Sequence, residues 1–419
     1  MSLIVLSIPV FFLLIGVELL ITRMRGLPYY RFNDAITNLS CGIGSQVSGI
    51  FLKVLTFDAY VLIYNASPLK GSIGNNVLWM VLLFLDVDFF YYWFHRLAHE
   101  VSIMWGSHVV HHQSEEYNLT VALRQAWVQG AFSWVFYLPL ALAGFDPYMF
   151  VTIASIQTLY QFWIHTKVIG RMPAWFEYVF NSPSHHRVHH GVNPKYIDKN
   201  HAGTLIIWDR VFGTFQEEEE EVVYGITTQP KSWNPLWLNV EYWGDLARSA
   251  SKARPGDALR MLFLAPGWKP ADMGGMLAYS PVSAATFQKY DTSVSPRLNN
   301  YIFFQFVILL LGTSAFLFGL KPLEKQVEAH LMDKTVMQQL VAVASVLIVY
   351  TVVTIGALFE KKNWVIFAEG LRILLLAAFI TILMMKYYPL VYALSGAGLY
   401  LLMSSIWFAS TIKEITSKE

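Results

Sequence analysis

A single cysteine, Cys41, occurs in 419 residues. That excludes an intrachain disulfide framework and any CxxC zinc or redox motif. Charge is also scarce: charged residues make up 14% of the chain, against about 25% in soluble domains. The signs balance, 30 Lys+Arg against 29 Asp+Glu for a formal charge of +1. No global field therefore recruits nucleic acid or another polyanion. There is no HExxH, so the helix-borne zinc protease pattern is absent, and no Gly-rich loop ending in Lys-Ser/Thr to cradle a nucleotide phosphate. What the chain has instead is apolar length, 55% hydrophobic residues. That composition excludes a disordered or collagen-like chain and points to a polytopic membrane protein.

The apolar runs predict an all-α fold of about nine spans. They are Leu3–Ile21, which lacks the basic flank of a cleaved signal peptide, Cys41–Tyr64, Val77–Phe94, Trp127–Ala143, Tyr148–Trp163, Tyr301–Leu320, Met337–Phe359, Trp364–Met385 and Tyr388–Ala409. Lys and Arg follow the first, seventh and ninth of these: Arg23, Arg25, Arg31, then Lys361, Lys362, then Lys413, Lys418. By the positive-inside rule the segments 95–126 and 166–299 face the cytoplasm, although Lys321, Lys325 and Lys334 run against that orientation. Four regions are expected: N-terminal spans over 1–75, a histidine-rich core over 76–225, a cytoplasmic connecting segment over 226–299 and C-terminal spans over 300–419. The acidic run Glu217–Glu221 reads as a hydrated loop. Of the glycosylation-like triplets at Asn38, Asn65 and Asn118, the orientation leaves only Asn65 outside.

Eleven of the twelve histidines lie between positions 95 and 201; His330 stands apart in an outer loop and is expected to be inert. Most of the eleven fall into short groups: His95 and His99 at i, i+4; His108, His111 and His112 at i, i+3, i+4; His186, His189 and His190 with the same spacing. Such spacings set imidazoles on one face of a helix. Neutral imidazoles converging from several rigid walls are what a divalent transition metal requires. With His165, which ends the fifth predicted span, the set supplies nine nitrogens, more than one ion uses, so two ions are the natural count. Read singly, His165 could be an ordinary boundary histidine and HxxxH a chance pattern. Three groups in order at a bilayer edge have no comparable structural explanation, since unpaired histidines there would be desolvated without return. Asp88, within the third span, needs a partner. It is expected either to orient an imidazole N–H or to form a salt bridge with an arginine such as Arg96. A metal transporter using the histidines as a relay is the competing class, but it would need polar residues strung along several spans, whereas these cluster at one end.

The run His95-Arg-Leu-Ala-His99-Glu100-Val-Ser-Ile-Met-Trp105, the group His108 to His112, the stretch Ser114 to Leu119, and Tyr160 to His165 together resemble the membrane fatty acid hydroxylase/sterol desaturase superfamily. Ser182 to Gly191 and Ile197 to Phe215 carry the likeness further. Within that superfamily the likeness extends to the alkylglycerol monooxygenase family over roughly residues 20–290. The resemblance implies a di-iron centre that activates O₂ for a lipid substrate in the bilayer, tetrahydrobiopterin as reductant, and possible reductase or pterin-recycling partners. It implies an ether bond cleaved to a fatty aldehyde and a glycerol derivative. The alternative on the same scaffold is a fatty acid or sterol hydroxylase or desaturase fed by cytochrome b5 or ferredoxin; no His-Pro-Gly-Gly haem motif fuses such a donor to this chain. Glu100 is the candidate catalytic or pterin-facing group, with an Arg96 ion pair as its plain reading. Asn118 and Trp208 are pocket candidates, and His185 a neighbour of the ligand set. His201 stands where relatives commonly carry tyrosine; Gln125 and Gln161 stand where some carry histidine. The host membrane is expected to be the endoplasmic reticulum in a eukaryote or the inner membrane in a bacterium.

Overall fold

The computed structural model describes residues 3–279, 281–385 and 388–416. Lys418, one of the residues bearing on orientation, lies outside them. Among the described residues there is no strand, only an isolated bridge between Gly191 and Tyr224. Six helices among the described residues are long and apolar enough to cross a membrane: Phe32–Ala66, Val77–Glu100, Pro296–Glu328, Lys334–Phe359, Val365–Met385 and Leu390–Ala409. Each corresponds to one of the predicted runs, the last two starting one and two residues later than expected. The other three runs fall short. Ile8–Met24 and Pro147–Trp163 have 17 residues each, about 25 Å at 1.5 Å per residue. Trp127–Ala143 is helical only over Gly130–Leu142, tightening to a 3₁₀ turn at Trp134–Tyr137 before Leu138–Leu142, which has Pro139 in its first turn. Hydropathy registers apolar content and is blind to such shortening.

The chain divides into two compact units. One comprises the residues up to Lys231 together with Trp237–Lys289; the other comprises Ser232–Leu236 and the chain from Tyr290 onward. In the first unit, Val77–Glu100 starts where the Asn76 side chain accepts the Trp79 N–H. Pro147–Trp163 starts where Asp146 accepts from the amides of Tyr148 and Met149, with Pro147 at its first position. Such caps satisfy donors that a helix start leaves free. The two helices pack through Leu83, Val87, Phe145, Met149 and Ile153, with Tyr60 from Phe32–Ala66 in the same cluster. This packing sets the ends of both helices on one histidine cluster: His95 and His99 lie in the last turns of one helix, and His165 two residues past the other. The Ser114–Glu116 stretch is tied down separately: Ser114 donates to Asp34, while Arg31 and Lys289 both reach Glu116 at 2.7 Å. Arg31 is therefore part of a partly exposed ion-pair network around the buried Glu116 besides being a marker of orientation.

The second unit holds the four long C-terminal helices and the short Ile412–Thr416. At its centre Glu369 and Arg372 form a buried ion pair, joined by Tyr301, Gln305 and Tyr400. Removing one partner leaves the other charge buried and uncompensated. Glu369→Ala is expected to lower stability by roughly 3–5 kcal/mol, while replacing both partners with apolar residues recovers most of that loss. Thermal unfolding of the detergent-solubilised protein checks it.

Candidate metal centre

The eight histidines picked out by spacing and His165 are all buried, none more than 7% exposed. They arrive on four short pieces of backbone. His95 and His99 come from the end of Val77–Glu100. After a break at Val101, the single turn Val109–His112 with His108 at its cap delivers three. His165 follows Pro147–Trp163. The helix Pro183–His189, started by Pro183, supplies His186 and His189 and ends on His190.

The rings separate into two groups. His95, His99, His108, His112 and His189 form one; His111, His165, His186 and His190 form the other; within each, one ligand nitrogen per residue lies within 4.8 Å of all the rest. With metal–nitrogen bonds of about 2.1 Å, rings on adjacent corners of an octahedron have centroids about 4.6 Å apart, and rings on opposite corners about 6.5 Å. In the first group His95, His108, His112 and His189 close a four-sided ring with edges of 4.7, 5.0, 4.8 and 4.4 Å. His99 sits 4.6–5.3 Å from all four. That is a square pyramid with His99 at the apex and one corner open opposite it. In the second group His111 and His186 are 6.5 Å apart, as opposite corners are. His165 and His190 are 5.2 Å from each other and lie 4.3–5.1 Å from both members of that pair. Two adjacent corners are then free. The groups adjoin through His112 and His190, stacked at 4.3 Å.

The hydrogen bonds test whether cations fit here. His95 Nδ1 is 2.7 Å from the His201 carbonyl and His108 Nδ1 is 3.0 Å from Gln129 Oε1. An N–H donated to each of these leaves a bare lone pair on each Nε2. Those two Nε2 atoms nevertheless approach to 2.9 Å. The second group repeats the arrangement: His111 Nδ1 is 2.8 Å from the Arg124 carbonyl, His165 Nδ1 is 2.7 Å from the Gln161 carbonyl, and their Nε2 atoms stand 3.2 Å apart. Lone pairs facing each other repel; a shared cation turns the contact into two bonds. His99, His189 and His190 also carry buried Nε2 atoms without a partner. Burial holds His108 and His165 near a pKa of about 4. Burial, then the neighbouring imidazoles, hold His111, His112, His186, His189 and His190 well below the usual histidine range. The rings are thus neutral near neutrality, the form in which imidazole ligates.

Asp88 neither accepts from an imidazole nor pairs with Arg96. Its oxygens take the amides of Thr204 and Leu205, the Gln157 side-chain amide and the Trp208 indole N–H. Asp209 takes the amides of His201 and Ala202. Two carboxylates thereby clamp the loop whose His201 carbonyl receives His95 Nδ1. Gly203 permits this closeness: a Cβ there would stand 2.2 Å from Gln157 Nε2 and 3.0 Å from Asp88 Oδ1. Gly203→Ala is expected to cost about 1–3 kcal/mol through overpacking, and to lower metal retention in the five-histidine group, read by elemental analysis.

Other expected site residues lie elsewhere. Trp208 is spent on Asp88 and packs against Phe89. Asn118 braces a turn, accepting from Thr120 and donating to the Tyr29 carbonyl. Neither lines the cavity at the centre. His185 belongs to neither group; its ring lies edge-on to Phe215, its carbonyl accepting from Asn200. Glu100 pairs with Arg96 at 2.9 Å, its side chain 36% exposed. A short polar side chain a few residues from its partner had equally good reasons to serve backbone amides, and spacing does not distinguish the two.

A cavity of about 480 Å³ reaches His99, His112, His189 and His190. Its walls include Trp105, Asp198, Tyr242, Met261 and Trp268. Asp198, which sequence reasoning passed over, stands 3.8 Å from His99 Nδ1. Its pKa is raised to about 6 by burial and the nearby Glu100. Its φ of 56° is uncommon for a residue other than glycine, a strain that no composition signal carries. His201 was also left out of the ligand set. It is fully buried, its ring 5.1 Å from His99, and both ring nitrogens lack partners.

Paired all-imidazole groups at the ends of apolar helices define a membrane hydroxylase of the histidine-box class, and a model of the fatty acid hydroxylase family matches residues 80–214. The chain is 38% identical to the alkylglycerol monooxygenase of Xenopus tropicalis over 369 residues, covering 87% of this chain and 79% of that one. It is 35% identical to the human alkylglycerol monooxygenase over 416 residues, covering 98% and 89%. A more distant relative, an ornithine lipid hydroxylase of Rhizobium tropici, is 28% identical over 192 residues, 44% of this chain and 57% of that one. No solved structure matches. The chain belongs to the alkylglycerol monooxygenase family.

Proposed function

We propose that this chain is a membrane di-iron monooxygenase that oxidises ether lipids, with the nine histidines as ligands: five on one ion and four on the other. The observation that carries this reading is the pair of Nε2–Nε2 contacts, one in each group, between rings whose Nδ1 atoms both face acceptors. Imidazole-rich, thiolate-free donor sets suit iron, and the family is one of hydroxylases. Bound iron would supply activation of O₂ and transfer of one oxygen atom to the substrate.

The chain's own contribution is positioning. The carbonyls of His201, Arg124, Gln161 and Lys199 fix the tautomer and tilt of His95, His111, His165 and His189. Burial of every ring keeps bulk water off the centre. Trp105, Val109 and Met261 give the cavity an apolar side for the alkyl chain, and Thr227, Thr228 and Tyr242 offer hydroxyls to a glycerol head. The ether carbon R–CH₂–O takes one oxygen atom from O₂; the other leaves as water with two electrons and two protons from the reductant, for which we propose tetrahydrobiopterin. The resulting hemiacetal breaks its C–O bond, passing its hydroxyl proton to the glycerol oxygen and releasing a fatty aldehyde. Asp198, beside His99 and on the cavity wall, replaces Glu100 as the candidate acid–base group. The centre is proposed to face the cytoplasm, following Arg23 and Arg25.

Membranes containing the protein, supplied with an alkylglycerol and O₂, should release aldehyde with the pterin and not without it. An ether that stays intact under both conditions overturns the reading and favours a hydroxylase or desaturase fed by a protein electron donor.

A further inference from the structure

The helix Pro255–Phe263 lies outside every span, yet it presents apolar residues on two sides. Met261 is 3% exposed and turns inward onto the cavity wall. Leu259 and Phe263, one helical turn apart, are 59% and 58% exposed, and Leu264 adds 41%. Side chains at i and i+4 share a face, so Leu259 and Phe263 form one outer stripe; Leu264 follows it past the helix end, in extended backbone. Water has no reason to meet it.

Its place in the unit says what does. The Ser102 N–H donates to the Leu264 carbonyl at 2.9 Å. The Ser102 hydroxyl also hydrogen-bonds the Tyr242 hydroxyl at 2.7 Å. Ser102 is two residues past Glu100, where the apolar span Val77–Glu100 ends. The helix is thus fastened at the level where that span leaves the hydrocarbon. Charge agrees. Between positions 252 and 269 the basic residues are Lys252, Arg254, Arg260 and Lys269, against Asp257 as the single acid; Asp272, just beyond, lies 4.0 Å from Arg254. A short helix with an apolar stripe and a basic surround is the pattern that settles at the acyl–headgroup boundary of an anionic leaflet.

We propose that Pro255–Phe263 lies in the plane of the bilayer surface, with Leu259, Phe263 and Leu264 in the acyl–headgroup boundary and the basic residues on anionic lipid. The Met261 wall then becomes the doorway through which a lipid leaves the leaflet for the cavity; that last step rests on the lipid-oxidising reading above.

Cys41 is buried and is the one cysteine of the sequence, so single-cysteine labelling is clean. Nitroxides are placed on Leu259→Cys, Phe263→Cys and Arg260→Cys in metal-loaded, full-length protein in nanodiscs of phosphatidylcholine and phosphatidylglycerol. Labels at 259 and 263 should collide readily with O₂ and poorly with a water-soluble nickel chelate, and the label at 260 the reverse; both contrasts should weaken when phosphatidylglycerol is left out. Free nickel-chelate access at all three positions overturns the proposal whatever the enzyme oxidises. Phe263→Asp tests the doorway. It should raise KM several-fold for an ether lipid presented in the bilayer, and leave kcat and the KM of a short-chain, water-soluble ether unchanged. Equal loss toward both substrates overturns the doorway. Labels that report immersion, with no ether oxidised by any form, leave the membrane contact standing and reject the ether-lipid reading instead.

Discussion

Protein carrying His186→Ala should be isolated with about one iron per chain where the parent carries about two, and its ether-lipid oxidation should fall to background. His186 is one of four donors in its group and stands opposite His111. Without it three nitrogens remain, with as many open corners, and the ion is lost. His95→Ala should behave differently. Its group keeps four imidazoles, including His99 at the apex, so the protein should still be isolated with both ions and surrender one of them sooner to a chelator. Elemental analysis before and after graded chelation separates the two variants. Equal iron in both, at either the parental or the halved level, would remove the distinction between a five-donor and a four-donor site.

Acid should unmake the same centre. His108 and His165 take up a proton in the folded, metal-free protein only near pH 4; in an unfolded chain histidine does so near 6.5. Below about pH 6.5 the unfolded chain therefore binds more protons than the folded one, so stability rises with pH across this window and falls as the solution is acidified. The contribution of these two residues is complete above about 6.5 and exhausted near about 4, on the order of a few kcal/mol for each. His111, His112, His186, His189 and His190 are held lower still and extend the loss to more acid solution. Chelator-treated protein should show a Tm that drops steadily from pH 7 to pH 4.5. A flat Tm across that range would mean the rings are solvated. Added metal should raise the Tm most at neutral pH, because protons and cations compete for the same lone pairs.

The site was more legible than the fold around it. Imidazoles spaced i, i+3, i+4 declare a shared helical wall, and the eight rings singled out that way, with His165 from the end of a predicted span, are the nine gathered into two groups. Even His165, ambiguous by itself, falls into place because the packing of Val77–Glu100 against Pro147–Trp163 leaves it facing His111 and His186. The spans were harder. A 17-residue apolar helix and a shorter one that tightens to 3₁₀ at Trp134–Tyr137 score much as a full crossing does, so nine runs correspond to six helices of spanning length among the described residues. Least legible were contacts made across long separations. Asp88 could not be matched to Thr204 and Leu205, more than a hundred residues on. Nor could the cavity wall at 241–279 be assigned to His99. Amphiphilic loops carry no period from which to read their destination.

One detail of the two groups has a mechanical meaning. His111 and His112 are neighbours in the chain, as are His189 and His190, yet each pair is divided between the groups. Rotating either short turn by one residue would exchange donors between them, so neither set can be adjusted while its companion stays still. Two ions bound here would be geared together: strain or ligand movement at one is transmitted through a single peptide unit to the other, even where one ion is held more weakly than its companion.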